Sequence, residues 1–287
     1  IADSAKPKRV ILMCSKELRN SLVSTYRQSA GFPTFGIRNV GGLTRLRGRT
    51  IYTRQHQPAG YEFRVPDRSG TRSPVGEGLG YTLPDAQPDV HVYLAFLSRL
   101  VVACDRETSE VRDLMGEPSL QQGTFVLIQV SWFVVADARF QDSLVRAAGA
   151  IRKEGFRLKI AIDARELEDV RDLRLFRQAL FQLEDEGIGV VLKNPQSGRD
   201  SPFAESVVYR AVPQLSVSPD WLGIGEDESR FDHSLYFERI TLLNSAIHED
   251  GKTVICEGVA NEWQRSFLSS LPVSLFVFQG SRDDVTI

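Results

Sequence analysis

From Val90 onward, two kinds of apolar pattern take turns along the chain. Short runs with almost no polar interruption predict strands at Phe125-Val-Leu-Ile-Gln-Val, Phe156–Ile162, Ile188-Gly-Val-Val-Leu, Leu215-Ser-Val, Trp221-Leu-Gly-Ile, Val254–Cys256 and Leu275–Phe278. Between them, apolar residues three and four apart predict helices over Asp137–Lys153, Arg165–Glu186, Ser234–His248 and Asn261–Ser270. The second of these helices carries Leu173, Phe176, Leu180 and Leu183 as a buried stripe. Val90–Cys104 reads as a helix that Thr108–Met115 continues after a break. Strands that are apolar on both faces belong in a parallel sheet covered by helices. Roughly six to eight of them fit a closed α/β barrel of the TIM-like (β/α)8 kind, with an open doubly wound sheet as the alternative.

Upstream the pattern is less regular. Lys16–Ala30 predicts a short helix, with Leu18, Leu22, Val23 and Tyr26 on one face, and Gly31–Gly42 is rich in turn residues. Leu43–Arg54 alternates as a strand should, and Gly60–Val65 pairs with it as a hairpin. Pro66–Pro88 is dense in Gly, Pro, Ser and Asp and predicts a long surface loop, a lid or contact element. The expected division is an N-terminal helix and linker over 1–42 and a barrel domain over 43–287.

Composition narrows the function classes. Thirty-five basic against 37 acidic residues leave a net charge of −2, which offers no footprint for bulk nucleic acid or a membrane surface. The arginines between Arg38 and Arg72 read as a solvated basic surface, against a phosphate or acidic-partner site. Cys14, Cys104 and Cys256 are far apart and the four histidines scattered, so no zinc spacing arises. Free thiols in apolar runs predict a reducing, cytoplasmic setting. No apolar run reaches membrane-spanning length, and the chain begins with Ile1, as a piece of a longer protein would.

The segment Thr253-Val-Ile-Cys-Glu-Gly-Val-Ala-Asn-Glu-Trp-Gln, followed by Phe278-Gln-Gly, carries the most specific pattern. It is an apolar strand ending in a carboxylate, a glycine turn, an amphipathic helix, and a second strand ending in Gln-Gly. This resembles the signature near the end of the EAL domain, the bacterial cyclic di-GMP phosphodiesterase barrel. The resemblance extends over roughly Leu43 to Gly280 and implies which positions would hold metal. It places Glu62, in Gly60-Tyr-Glu-Phe-Arg, at the first metal-binding glutamate, with Arg64 out of register with the family's substrate-contacting arginine. Gln129 falls at a metal-binding asparagine, and Ala161 at a metal-binding glutamate. A slip of register there would bring Asp163 forward as a ligand. Lys193 and Asn194 stand at the family's paired aspartates, Gly223 and Gly225 at its lysine and aspartate, and Ala260 at its last glutamate. Glu257 and Gln279 match.

A phosphodiesterase of this kind needs about six oxygen ligands for each of two cations. An ammonium about 4 Å from a cation costs about 4 kcal/mol per unit charge at an effective dielectric near 20. The resemblance, with these departures, implies a barrel without catalytic residues, metal or cofactor, acting as a regulatory module that binds a protein partner. Pro66–Pro88 and exposed helices would be its contact surfaces, and the family's habit of pairing through the loop at Pro195–Pro202 allows a homodimer. The alternative is a metal-free cyclic di-GMP receptor lined by Arg64, Arg68, Glu257 and Gln279. An unrelated hydrolase finds no acid–base or nucleophile set to use. Lys193 with Asn194 is expected either to pair with Glu62 or Glu257 or to stay apart from them. Trp132, Phe133, Trp221 and Phe231 are read as core or as a contact patch. Val75-Gly-Glu-Gly-Leu-Gly follows no strand and is discounted as a phosphate loop.

Overall fold

A computed structural model describes residues 47–64, 90–114, 120–170, 172–195, 208–279 and 285–286. The predicted N-terminal helix, the Gly31–Gly42 stretch, the Pro66–Pro88 loop, Cys14, Arg68 and the boundary at residue 42 lie outside them.

Eight strands close a barrel: β1 (Arg47–Thr53), β2 (Pro58–Arg64), β3 (Phe125–Gln129), β4 (Arg157–Asp163), β5 (Gly189–Lys193), β6 (Gln214–Val217), β7 (Thr253–Val259) and β8 (Leu275–Phe278). β2 to β8 pair in parallel in chain order, and β1 closes the ring antiparallel to both β8 and β2. The expected hairpin is thus two staves of the barrel itself. A two-residue strand, β9 (Val285–Thr286), pairs with the start of β1. The closed ring, rather than an open sheet, is the observed solution.

Helices α1 (Val90–Cys104), α2 (Arg106–Leu114), α3 (Trp132–Val135), α4 (Ala138–Lys153), α5 (Leu173–Asp185), α6 (His233–His248) and α7 (Glu262–Ser269) are described around the strands. Four of them begin at a side-chain cap: Asp137, Asp172, Asp232 and Asn261 each accept a backbone N–H of the first turn. Each cap stabilises its helix by about 1 kcal/mol. Among the described residues no helix is long and apolar enough to cross a membrane.

Two expectations fail locally. Arg165–Glu186 is not one helix. Asp163 caps a 3-10 turn over Ala164–Asp169, and Asp172 starts α5 afresh. Trp221-Leu-Gly-Ile is not a strand either. Asp220–Leu222 forms a 3-10 turn that ends on left-handed Gly223 (φ 73°), and Ile224 makes a single bridge to Phe231. Leu222 and Ile224 are apolar because they are buried in the core, without belonging to the sheet.

Alternation along the strands sorts the barrel interior into levels. Ile51, Phe125, Leu127, Ala161, Val191, Ile255 and Val277 form an apolar plug, separate from the larger core between strands and helices. Burying a side chain of this size contributes about 2 kcal/mol. Towards the strand C-termini the inward positions turn polar, with Glu62, Lys193, Ser216 and Glu257 all buried. At the opposite end lie Lys159 and Gln214.

Candidate functional site

The polar level sits where barrels of this kind carry their chemistry, at the C-terminal ends of the parallel strands. Glu62 and Arg64 come from β2, Lys193 from the last position of β5, Ser216 from β6 and Glu257 from β7. β1 runs the other way, so its beginning lies at this end and places Arg49 opposite Glu62. Gly258, in the left-handed region at φ 81°, follows Glu257 directly and coincides with a register shift between β7 and β8. That bulge lets β7 turn outward immediately after its carboxylate.

Lys193 is the centre of the cluster. Its Nζ donates to Glu257 Oε2 at 2.7 Å and to Glu62 Oε1 at 3.2 Å. Arg49 Nε donates to Glu62 Oε2 at 3.0 Å, and its Nη2 reaches both Glu62 and, at 3.4 Å, Glu257. The Ser216 hydroxyl donates to Glu257 Oε1. Arg64, with a side chain 58% exposed, stands 3.6 Å from Glu62 and 3.8 Å from Glu257. Among the described residues, two carboxylates and three cations leave one positive charge in excess.

The directions of the pKa shifts follow from this geometry. Burial alone would raise Glu62, but Lys193, Arg49 and Arg64 outweigh it and hold the carboxyl far below the usual carboxylate range. Burial alone would lower Lys193, but Glu257 and Glu62 outweigh it and raise the ammonium above its ordinary 10.5. Glu62 and Lys193 therefore stay charged throughout the neutral range.

Beside it lies a second group. Asp163 accepts from Arg165 Nε at 2.9 Å and from Asn194 Nδ2 at 3.1 Å. Asn194 adopts a left-handed conformation (φ 47°), which asparagine tolerates better than most residues. Its N–H donates to Ser216 O at 2.9 Å. Asn194 therefore turns to Asp163, while Lys193 turns to the glutamates. Burial, and then Asp163, push the nearby Glu166 carboxyl up to about 7, although it accepts the Trp132 N–H at 3.3 Å.

The structure brings together Glu62, Arg64, Lys193 and Glu257, with Asn194 one bond network away. Gln129 ends β3 beside Arg64 and Ala161 in the strand register, half-buried. Gln279 stands apart. It is exposed and lines a cleft of about 290 Å³ with Tyr52, His56 and Phe278. The position expected at Gly223 and Gly225 is corrected: the sixth stave is Gln214–Val217, and its inward residue at this level is Ser216. Arg49, expected on a solvated basic surface, is instead three-quarters buried against the glutamates. Alternation along β1 was the available signal, since Arg49 and Ile51 share the inward face.

A divalent ion requires a shell of oxygens, mostly carboxylate and water. The two glutamates at the centre are already engaged by Lys193 and Arg49, and Ala161 supplies no donor. Among the described residues no group of three or more His, Cys, Asp and Glu converges as a metal site. The described donor set does not fit a pair of divalent cations.

No protein-family model matches the sequence, and no curated protein matches it. Solved structures do. An EAL domain protein from Listeria monocytogenes EGD-e is 18% identical with a TM-score of 0.51, over 81% of this chain and 85% of that one. The EAL domain of Mycobacterium smegmatis DcpA is 15% identical with a TM-score of 0.51, over 81% of this chain and 87% of that one. Klebsiella pneumoniae BlrP1, solved as a complex with manganese and cyclic di-GMP, is 15% identical with a TM-score of 0.55. That match covers 83% of this chain and 55% of BlrP1. The fold is that of the EAL-type barrel.

Proposed function

We propose that this barrel is a non-catalytic regulatory domain of bacterial cyclic di-GMP signalling that acts by binding a protein partner. The observation that carries the proposal is the Lys193 ammonium, seated 2.7 and 3.2 Å from the two glutamates that a metal would need. An internal cation there replaces a bound one, and removing either partner of such a buried set is costly. The domain therefore keeps the barrel and gives up its metals. The EAL-type fold supports the signalling context, and solved neighbours with that fold include a cyclic di-GMP complex.

The deciding experiment incubates the purified chain with cyclic di-GMP and millimolar Mg²⁺ or Mn²⁺ and measures the linear dinucleotide by chromatography. No turnover above the Lys193→Ala variant is expected. Clear hydrolysis by the parent chain would overturn the proposal.

A second role, as a metal-free receptor for cyclic di-GMP, is favoured by one observation: Arg64 offers a largely exposed guanidinium at the mouth of a cluster with excess positive charge. Isothermal titration separates the two roles, since absence of heat at tens-of-micromolar ligand removes the receptor.

A further inference from the structure

On the outer wall of the barrel, α6 (His233–His248) is unusually poorly covered. It buries only Leu243 and Ala246, although its sequence also offers Leu235, Tyr236, Phe237, Ile240, Leu242 and Ile247. Phe237 is 66% exposed. Next to it the rings form a continuous surface that crosses from α6 to α7. Phe231 lies 5.0 Å from Tyr236 and 5.3 Å from Phe267, Tyr236 lies 5.8 Å from Phe237, and Trp263 lies 5.8 Å from Phe267. Phe231, Tyr236, Trp263 and Phe267 are each only partly buried. A connected aromatic face of this kind is far more typical of a contact surface than scattered exposed rings are.

Charge says what would cover it. Glu226, Asp227, Glu228, Asp232, Glu238 and Glu262 are all exposed around the face. Three cations answer them: Arg230 stands 3.4 Å from Glu226, Arg239 3.8 Å from Glu238, and Arg265 2.6 Å from Glu262. Among the described residues, six carboxylates against three guanidiniums leave the rim with an excess of three negative charges. The acidic loop is also held in place. Asn261 Nδ2 donates to Glu226 O at 2.6 Å, Gln264 Nε2 donates to Gly225 O at 2.9 Å, and the Asp232 N–H donates to Gly223 O at 2.8 Å. The rim is thus fixed to α7 and ordered in advance, which lowers the entropy cost of binding.

We infer that this face is the docking surface for a basic amphipathic segment of a partner protein. The partner's apolar side chains would cover Phe237 and the ring cluster, and its lysines and arginines would meet the rim. The same rim repels anionic lipid and nucleic acid. The inference rests on the proposed protein-binding role and gives it a place and a partner chemistry.

The test uses a fluorescent Leu/Lys peptide of about 18 residues, five helical turns with one apolar face. A peptide with Glu in place of every Lys is the control. Anisotropy is measured with the full chain and with two variants, Phe237→Ser and the triple Glu226→Gln/Glu228→Gln/Glu238→Gln. The Lys peptide is expected to bind the parent chain, and each variant to weaken it about tenfold. The triple variant should also flatten the salt dependence. Equal binding by Phe237→Ser, or by the Glu peptide, overturns the inference. So does concentration-dependent dimerisation of the parent chain that Phe237→Ser abolishes, because the face would then meet a second copy. The hydrolysis assay on the parent chain is read separately. Turnover there removes the regulatory role whatever the peptide does, and its absence leaves that role standing if only this surface fails.

Discussion

Two lysines enter the same barrel at opposite ends, and the protein treats them in opposite ways. Lys193, at the strand C-termini, is buried with carboxylates at 2.7 and 3.2 Å, and its pKa is raised. Lys159, near the other end, donates to the neutral Gln214 Oε1 at 2.7 Å and lies 4.2 Å above the Phe125 ring. Burial, and then Arg157, lower it to about 8. Desolvation acts on both, so the formal charge of the partner decides the sign. A ring face and an amide dipole do not replace water around an ammonium, whereas two carboxylates more than do. The mouth therefore carries charges that hold each other in place, and the floor carries one that the fold merely tolerates.

Removing the mouth lysine should cost the protein most. Lys193→Met leaves Glu62 and Glu257 with only Arg49, Arg64 and Ser216 to answer them. Breaking a buried pair costs about 3–5 kcal/mol, and the remaining arginines hold this case to about 3 kcal/mol. Urea unfolding at pH 7 checks the loss, and adding Glu257→Gln should recover part of it. A loss below about 1 kcal/mol would mean that the arginines alone hold the glutamates.

At the floor the same kind of change should have the opposite sign. Lys159→Met alone orphans the buried Gln214 carbonyl, so the informative variant is Lys159→Met/Gln214→Leu. The displacement of Lys159 from 10.5 to about 8 corresponds to about 3 kcal/mol, which water around the half-buried chain reduces to about 1–2 kcal/mol. The double variant should be more stable than the parent by that amount at pH 7. Between pH 8 and 10.5 the unfolded chain binds more protons at Lys159 than the folded chain does, so the Lys159 contribution rises with pH there. The variant's advantage should accordingly shrink towards pH 10.5. Thermal melts across that range show whether it does.

The contrast between the two ends was only half legible in the sequence. Strand and helix order came from periodicity, a local property, and the predicted helix starts at Asp137 and Asn261 coincide with observed caps, whereas the start at Asp172 was missed. The mouth lysine emerged from register against a family pattern, and its two glutamates with it. Arg49 did not: alternation put it on one face with Ile51, but that this face points into a ring depends on β1 also closing against β8, which the hairpin pattern alone does not encode. Ser216 was hidden by Trp221-Leu-Gly-Ile, whose apolar residues pack beneath a turn and imitate a strand. Lys159 looked like an ordinary charged residue until the barrel closed around it.

Glu166 is the acid counterpart of Lys159. Like Lys159, it is largely buried, and its neighbours do not offset that burial. Arg165, the cation beside it in sequence, makes its close ion pair with Asp163 at 2.5 Å. Glu166 is left with the Trp132 N–H and the Ser131 hydroxyl, and its pKa rises from 4.5 to about 7. The folded chain then keeps a proton that the unfolded chain has released, so stability falls as pH rises from about 4.5 to about 7. Glu166→Gln fixes the neutral state and should remove that slope. At pH 4, below the unfolded pKa, the variant should match the parent. At pH 8 it should be more stable by about 1 kcal/mol, the full displacement being reduced by solvent at a partly exposed carboxyl. Paired denaturation curves at the two pH values measure the difference. An equal gain at both would mean that the introduced amide improves packing or hydrogen bonding, and that burial without a counter-ion is not what unsettles this acid.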